Sequence, residues 1–231
     1  MERPSASGRP ASAAGAGAAP AEFAWYGKLP GAGDFVSRRM PYALQQFWDR
    51  WCAAGMELLK TGNPAVGWEL WRNTPKWAFL LPAQPGVPVG QFGVWAPSCD
   101  RVGRNFPILV SSPLTTQWID ILLPRVATLV LAWSDVIGQV QVARQGADVL
   151  DARLESVLLE ALAAEPEMDD TEKTLPRGMN PATLPWPDLA GTFDVQGGES
   201  YWWSVPPASS GFRARTHVGA LTPMHFVALC T

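Results

Sequence analysis

Two carboxylates stand where they could do chemistry. Asp34 follows the glycine-punctuated run Gly27-Lys28-Leu29-Pro30-Gly31-Ala32-Gly33, and Asp100 opens the polar run Asp100-Arg101-Val102-Gly103-Arg104-Asn105. Two carboxylates held close together can act as general acid and general base. Nothing in the sequence brings these two together. The commoner task of such an Asp is to accept backbone N–H bonds or to pair with an arginine, and Arg38, Arg39, Arg101 and Arg104 are available. The loop carrying Arg101 and Arg104, gripped by Val102 and Phe106, has two open readings. Its own charge-assisted hydrogen bonds fix it, or it offers guanidinium groups to an acidic or phosphorylated partner.

Gly27, Gly31 and Gly33 hint at a phosphate cradle, but they fit neither G-x-G-x-x-G nor G-x-x-x-x-G-K-[ST]. A P-loop lysine stands at the start of the helix that receives the phosphate, whereas Lys28 comes before the later glycines. A structured turn is the better reading. His217 and His225 are the two histidines, and no G-x-S-x-G elbow, H-x-x-E-H or Cys/His signature accompanies them. His225 lies among apolar residues and reads as a satisfied core histidine. Cys52, Cys99 and Cys230 are odd in number and far apart, which suggests neither a disulfide framework nor a zinc site. Cys52 reads as a small core residue. No catalytic residue, cofactor or metal is expected. Trp202-Trp203 puts adjacent aromatics on opposite faces of a strand, so Trp203 is a candidate outward contact.

The elements that would position these residues follow from patterning. Phe23 to Tyr26 reads as a first strand and Gly27 to Gly33 as the loop after it. From Pro41, Leu44, Phe47, Trp48, Trp51, Gly55, Leu58 and Leu59 recur at three- and four-residue steps. This is an amphipathic helix ended by Gly62-Asn63-Pro64, with Gln45, Gln46, Asp49 and Arg50 opposite. Trp68 to Trp71 is a short helical candidate. Trp77 to Leu81, Gln91 to Ala96 and Phe106 to Val110 read as strands of an antiparallel meander. Helices are expected over Ile121 to Val140 and Asp148 to Ala164, and a surface loop over Glu165 to Leu189. Ser200 to Val205 and Phe212 to His217 return to strand, and Met224 to Leu229 is a final apolar stretch. The order implies an α+β fold: a single domain over residues 23–231 whose mostly antiparallel sheet is packed by amphipathic helices. Residues 1–22 read as a flexible Ala/Gly/Pro-rich tail.

Composition narrows the function classes. Of 231 residues, 47% are apolar and 17% charged, which suits a sizeable core and not a disordered chain. Twelve tryptophans imply a thick core or a half-exposed face. The net charge of −3 and the lack of any basic cluster argue against nucleic acid as a partner. The most apolar region, Trp118 to Val140, is interrupted by Asp120, Arg125 and Asp135. No membrane insertion is expected, since a span needs roughly 18 apolar residues. The N-terminus has no apolar h-region, and a cytoplasmic location is the expectation.

The quoted motifs also carry a resemblance. Gly27-Lys28-Leu29-Pro30-x-x-Gly33-Asp34-Phe35-Val36, Phe47-Trp48-Asp49-x-Trp51, Pro97-Ser98-x-Asp100-Arg101-Val102-Gly103-Arg104-x-Phe106-Pro107 and Trp202-Trp203 resemble the TagF family, also called ImpM, of type VI secretion-associated proteins. Trp77-Ala78-Phe79 departs from the family's W-R-F by placing Ala78 where an arginine stands. The resemblance implies a non-enzymatic cytoplasmic protein, similar to post-translational repressors that bind a forkhead-associated-domain (Fha) scaffold protein. It makes Lys28, Asp34, Asp100, Arg101, Arg104 and Trp203 candidate signature or partner-binding residues. Two alternatives from the residues stay beside it: an enzyme using Asp34 and Asp100, and a purely structural subunit of the secretion system.

Overall fold

Apolar runs bounded by Pro and Gly form the middle of the sheet. The computed structural model describes residues 22–164, 193–205 and 213–231; the expected tail and the 165–189 loop lie outside these, except for Glu22. In chain order the strands are β1 (Ala24–Gly27), β2 (Val36–Arg38), β3 (Lys76–Leu81), β4 (Gly90–Ala96), β5 (Ile108–Leu114), β6 (Glu199–Val205) and β7 (Ala214–Val218). They make one seven-stranded sheet in the order β2-β1-β5-β4-β3-β6-β7, and every pairing is antiparallel. The fold is α+β, as the patterning implies, and β3, β4 and β5 are the expected meander.

Strands β5 and β2 depart from the sequence reading for physical reasons. β5 starts at Ile108 rather than Phe106 and runs on through Pro113, beyond Ser111 where its pairing with β1 ends. A proline missing its N–H is tolerated where one side of a strand is open. β2 is three residues of half-buried Val-Ser-Arg, held by pairing to β1 rather than by any apolar run of its own.

The helices are α1 (Tyr42–Lys60), α2 (Pro64–Asn73), the single turn α3 (Ile119–Leu122), α4 (Val126–Val142), α5 (Ala147–Ala163) and α6 (Pro223–Cys230). Thr61 caps the end of α1, and Asn63 starts α2: its side chain accepts the Ala65 N–H (3.0 Å) and Pro64 occupies the first turn. Pro124 falls in a 3-10 turn, Leu123–Arg125, between α3 and α4. The run Ile119–Val142 is apolar enough by length and composition to cross a membrane, but 56% of its most apolar window is buried inside the protein. Its side chains form core. The final apolar stretch is α6, capped by Thr222, whose hydroxyl accepts the His225 N–H at 3.2 Å.

Helices cover both faces of the sheet, so strand residues of both parities are buried. Ala78, Leu80, Phe92, Val94 and Val110 pack with Val130, Ile137 and Leu154 of α4 and α5. Trp77, Phe79, Trp95 and Leu109 pack with Trp48, Trp51, Trp71 and Phe226 of α1, α2 and α6. This overturns the expectation for Trp203. With no open sheet face to point into, it is 3% exposed in the first cluster while Trp202 is buried in the second. The tryptophans build a thick core, with Trp48 and Trp51 edge-to-face at 5.6 Å and Trp95 and Phe226 at 5.2 Å. Cys52 is a buried core residue. His225 is buried too, but its Nε2 has no hydrogen-bond partner, so it is not the satisfied histidine expected.

Candidate functional site

Asp100 is the centre of the loop cluster at one end of the sheet. Its side chain is fully buried. Oδ1 accepts the backbone N–H of Val102 (3.1 Å) and of Arg104 (2.9 Å). Oδ2 accepts from Lys28 Nζ (3.0 Å) and Arg104 Nε (2.6 Å). Burial alone would raise the carboxyl's pKa. The Arg104 N–H, the Lys28 ammonium and the Arg104 guanidinium outweigh it and hold Asp100 well below the usual carboxylate range. A carboxylate so satisfied is a structural anion. Its lone pairs are occupied and it has no proton to give, so it is unsuited to acid–base work.

The same contacts bind the two signature loops to each other. Ser98 Oγ donates to the Lys28 carbonyl (2.7 Å), the Arg101 N–H to the Ala32 carbonyl (2.7 Å) and Arg104 Nη2 to the Gly33 carbonyl (2.8 Å). Two glycines are there for close approach. A Cβ on Gly27, which has φ of 140°, would stand 2.1 Å from the Pro107 oxygen, and one on Gly31 would stand 2.2 Å from the Gln145 oxygen. The Gly27–Gly33 run is thus a structured turn that seats one loop against Pro107 and against the turn between α4 and α5. Lys28 is nearly buried, and its ammonium also lies 4.8 Å from the centre of the Phe35 ring.

Outward from this frame stand Asp34, Phe35, Arg101 and Val102. Asp34 Oδ1 accepts the Phe35 N–H (2.8 Å) and shares no hydrogen-bond partner with Asp100 among the described residues. The two arginines of the loop differ. Arg104 turns inward to Asp100 and Gly33, whereas the Arg101 guanidinium lies beside Gly33 with no hydrogen bond or ion pair to a described residue. Arg38 and Arg39 serve neither candidate Asp; they pair with Asp148 (2.7 Å) and Asp151 (2.5 Å) of α5. Val102 does not grip the loop, being 70% exposed, while Phe35 is 43% exposed. Pattern reading missed these two as surface residues, and the only signal was an apolar side chain inside a polar turn. The two loops thus expose two apolar side chains, Phe35 and Val102, along with Arg101 and Asp34.

A family model described as the TagF N-terminal domain, type VI secretion system-associated, matches residues 24–175. The chain belongs to the TagF family. The matched span holds every residue of the Asp100 cluster. The crystal structure of PA0076 from Pseudomonas aeruginosa PAO1 is similar over 91% of this chain and 94% of that one, with a TM-score of 0.59 and 25% identity. The TagF match ends at residue 175, yet β6 and β7 complete the same sheet and α6 packs on α1. Comparison with curated proteins gives no match.

Proposed function

We propose that this type VI secretion-associated protein is a non-enzymatic cytoplasmic repressor of secretion that acts by binding an Fha-type forkhead-associated-domain protein. The observation that carries this reading is the construction of the Asp100 cluster. A buried, fully bonded carboxylate holds two family-signature loops so that Phe35, Val102 and Arg101 project from a fixed base. Apolar anchors beside an unpaired guanidinium, on a surface that loses little entropy on binding, suit a protein partner. The enzyme alternative loses its proposed acid–base group, because Asp100 is ionised and occupied.

The test joins binding and physiology. The purified protein is expected to retain the system's Fha protein in a pull-down, and deleting its gene is expected to raise secretion. Absence of binding together with unchanged secretion would overturn the reading. Abolished secretion on deletion would favour a structural subunit instead.

A further inference from the structure

β7 forms the sheet edge opposite β2, and its half-buried side carries a guanidinium and an imidazole with no carboxylate beside them among the described residues. Arg215 and His217 are two residues apart on this strand and so share a face. With His225 from the first turn of α6 and its cap Thr222, they line an open cleft of about 560 Å3. The two imidazole rings are 4.4 Å apart. His225 is only 6% exposed and its Nε2 has no partner; Arg215 Nε is likewise buried and unpartnered. Among the described residues no carboxylate lines the cleft. The charged and titratable groups facing His225 are Arg215 and His217, while Trp51 of α1 and Trp202 of β6 contribute only rings. Burial, with His217 and Arg215 close by, pushes His225 down to about 3. Unpaired buried polar groups are uncommon in native proteins, and the start of a helix favours negative charge.

We propose that this cleft binds a phosphate group, free or as a monoester, gripped by the Arg215 guanidinium and completed by His217 and His225. The guanidinium fork matches two oxygens of a tetrahedral anion, and the imidazoles approach from strand and helix to meet others. A carboxylate would leave part of this donor set unused. His217 Nε2 lies 2.9 Å from the Ala220 carbonyl, so Nε2 is the donor in that bond and Nδ1 is the ring nitrogen left for the phosphate group. The cleft is open, which leaves room for the rest of a phosphorylated side chain outside it. It lies at the other edge of the sheet from β2 and apart from the Asp100 cluster, so the two sites fail or hold separately.

His217 and His225 are the only histidines in the chain, so their ring C–H resonances report on the cleft without ambiguity. The full chain is titrated with inorganic phosphate and with N-acetyl-phosphoserine amide at fixed pH, with chloride at matched ionic strength as reference. Saturable shifts of both rings are expected, and Arg215→Gln and His217→Gln should each weaken binding at least tenfold. A response to both probes supports a protein-borne phosphate, and a response to inorganic phosphate alone supports a free ion. Both variants alter a strand residue that is not fully buried, and tryptophan near-UV circular dichroism verifies their folding; if Arg215→Gln unfolds, His217→Gln decides. Shifts no larger than those with chloride, or unchanged affinity in the folded variants, would overturn the proposal.

Discussion

Asp100 and His225 are buried titratable groups treated oppositely by their surroundings. Asp100 keeps its charge because four hydrogen bonds and two cations replace the water it lost. Removing one cation leaves that charge under-compensated. Lys28→Ala is therefore expected to lower Tm by roughly 10 °C, measured by thermal unfolding, whereas a change of a few degrees would show that the pair matters little. His225 keeps its neutrality instead. Its folded pKa, about 3, lies below its ordinary value of 6.5, so the unfolded chain binds more protons between those limits and stability falls as pH drops through them. Between pH 7 and pH 5 the loss is on the order of 2 kcal/mol. Asp100 stays ionised folded or unfolded over that range, and its own stabilisation disappears only at more acid pH. Urea unfolding at the two pH values, in chloride buffer free of phosphate, should show this loss in the wild type and its absence in His225→Phe. Equal pH dependence in the two proteins would contradict the assignment.

At the scale of elements, α1 and α6 approach so closely that glycine is needed between them. A Cβ on Gly55 would fall 2.1 Å from the Phe226 ring. Gly55→Ala is expected to cost about 1–3 kcal/mol, read as a lower urea midpoint with an unchanged m-value. An unaffected midpoint would mean that the ring moves aside freely. α1 was legible in the sequence because its apolar stripe repeats at helical spacing over five turns, and β3 and β4 because Pro and Gly punctuate them. α6 was not: eight mostly apolar residues fit a buried strand as well as a helix, and Thr222 and Pro223 were its only marks. β2 was hidden because Val-Ser-Arg has no run long enough to signal a strand. Trp203 was misread because period-two alternation says that neighbours face opposite ways, but not that both faces are covered. In the candidate site, the structural task of Asp100 could be read from its arginine-rich loop. The burial of Lys28 and the exposure of Phe35 and Val102 could not, since they depend on two loops distant in sequence meeting in space.

Across the whole molecule, an antiparallel sheet between two helical layers holds the Asp100 cluster near its β2 edge and the Arg215 cleft at its β7 edge. The proposed binding role is tested at the face carrying Phe35, Arg101 and Val102. Truncating apolar and arginine anchors at the centre of an interface typically costs binding more than altering its rim. The most direct measurement is the affinity of the purified chain for the system's Fha protein by isothermal titration calorimetry, comparing wild type, the double variant Arg101→Ala with Val102→Ala, and Arg215→Gln. Binding by wild type, at least tenfold weaker binding by the double variant and wild-type affinity for Arg215→Gln are expected. Absence of binding by wild type, or full affinity in a correctly folded double variant, would contradict the proposed role.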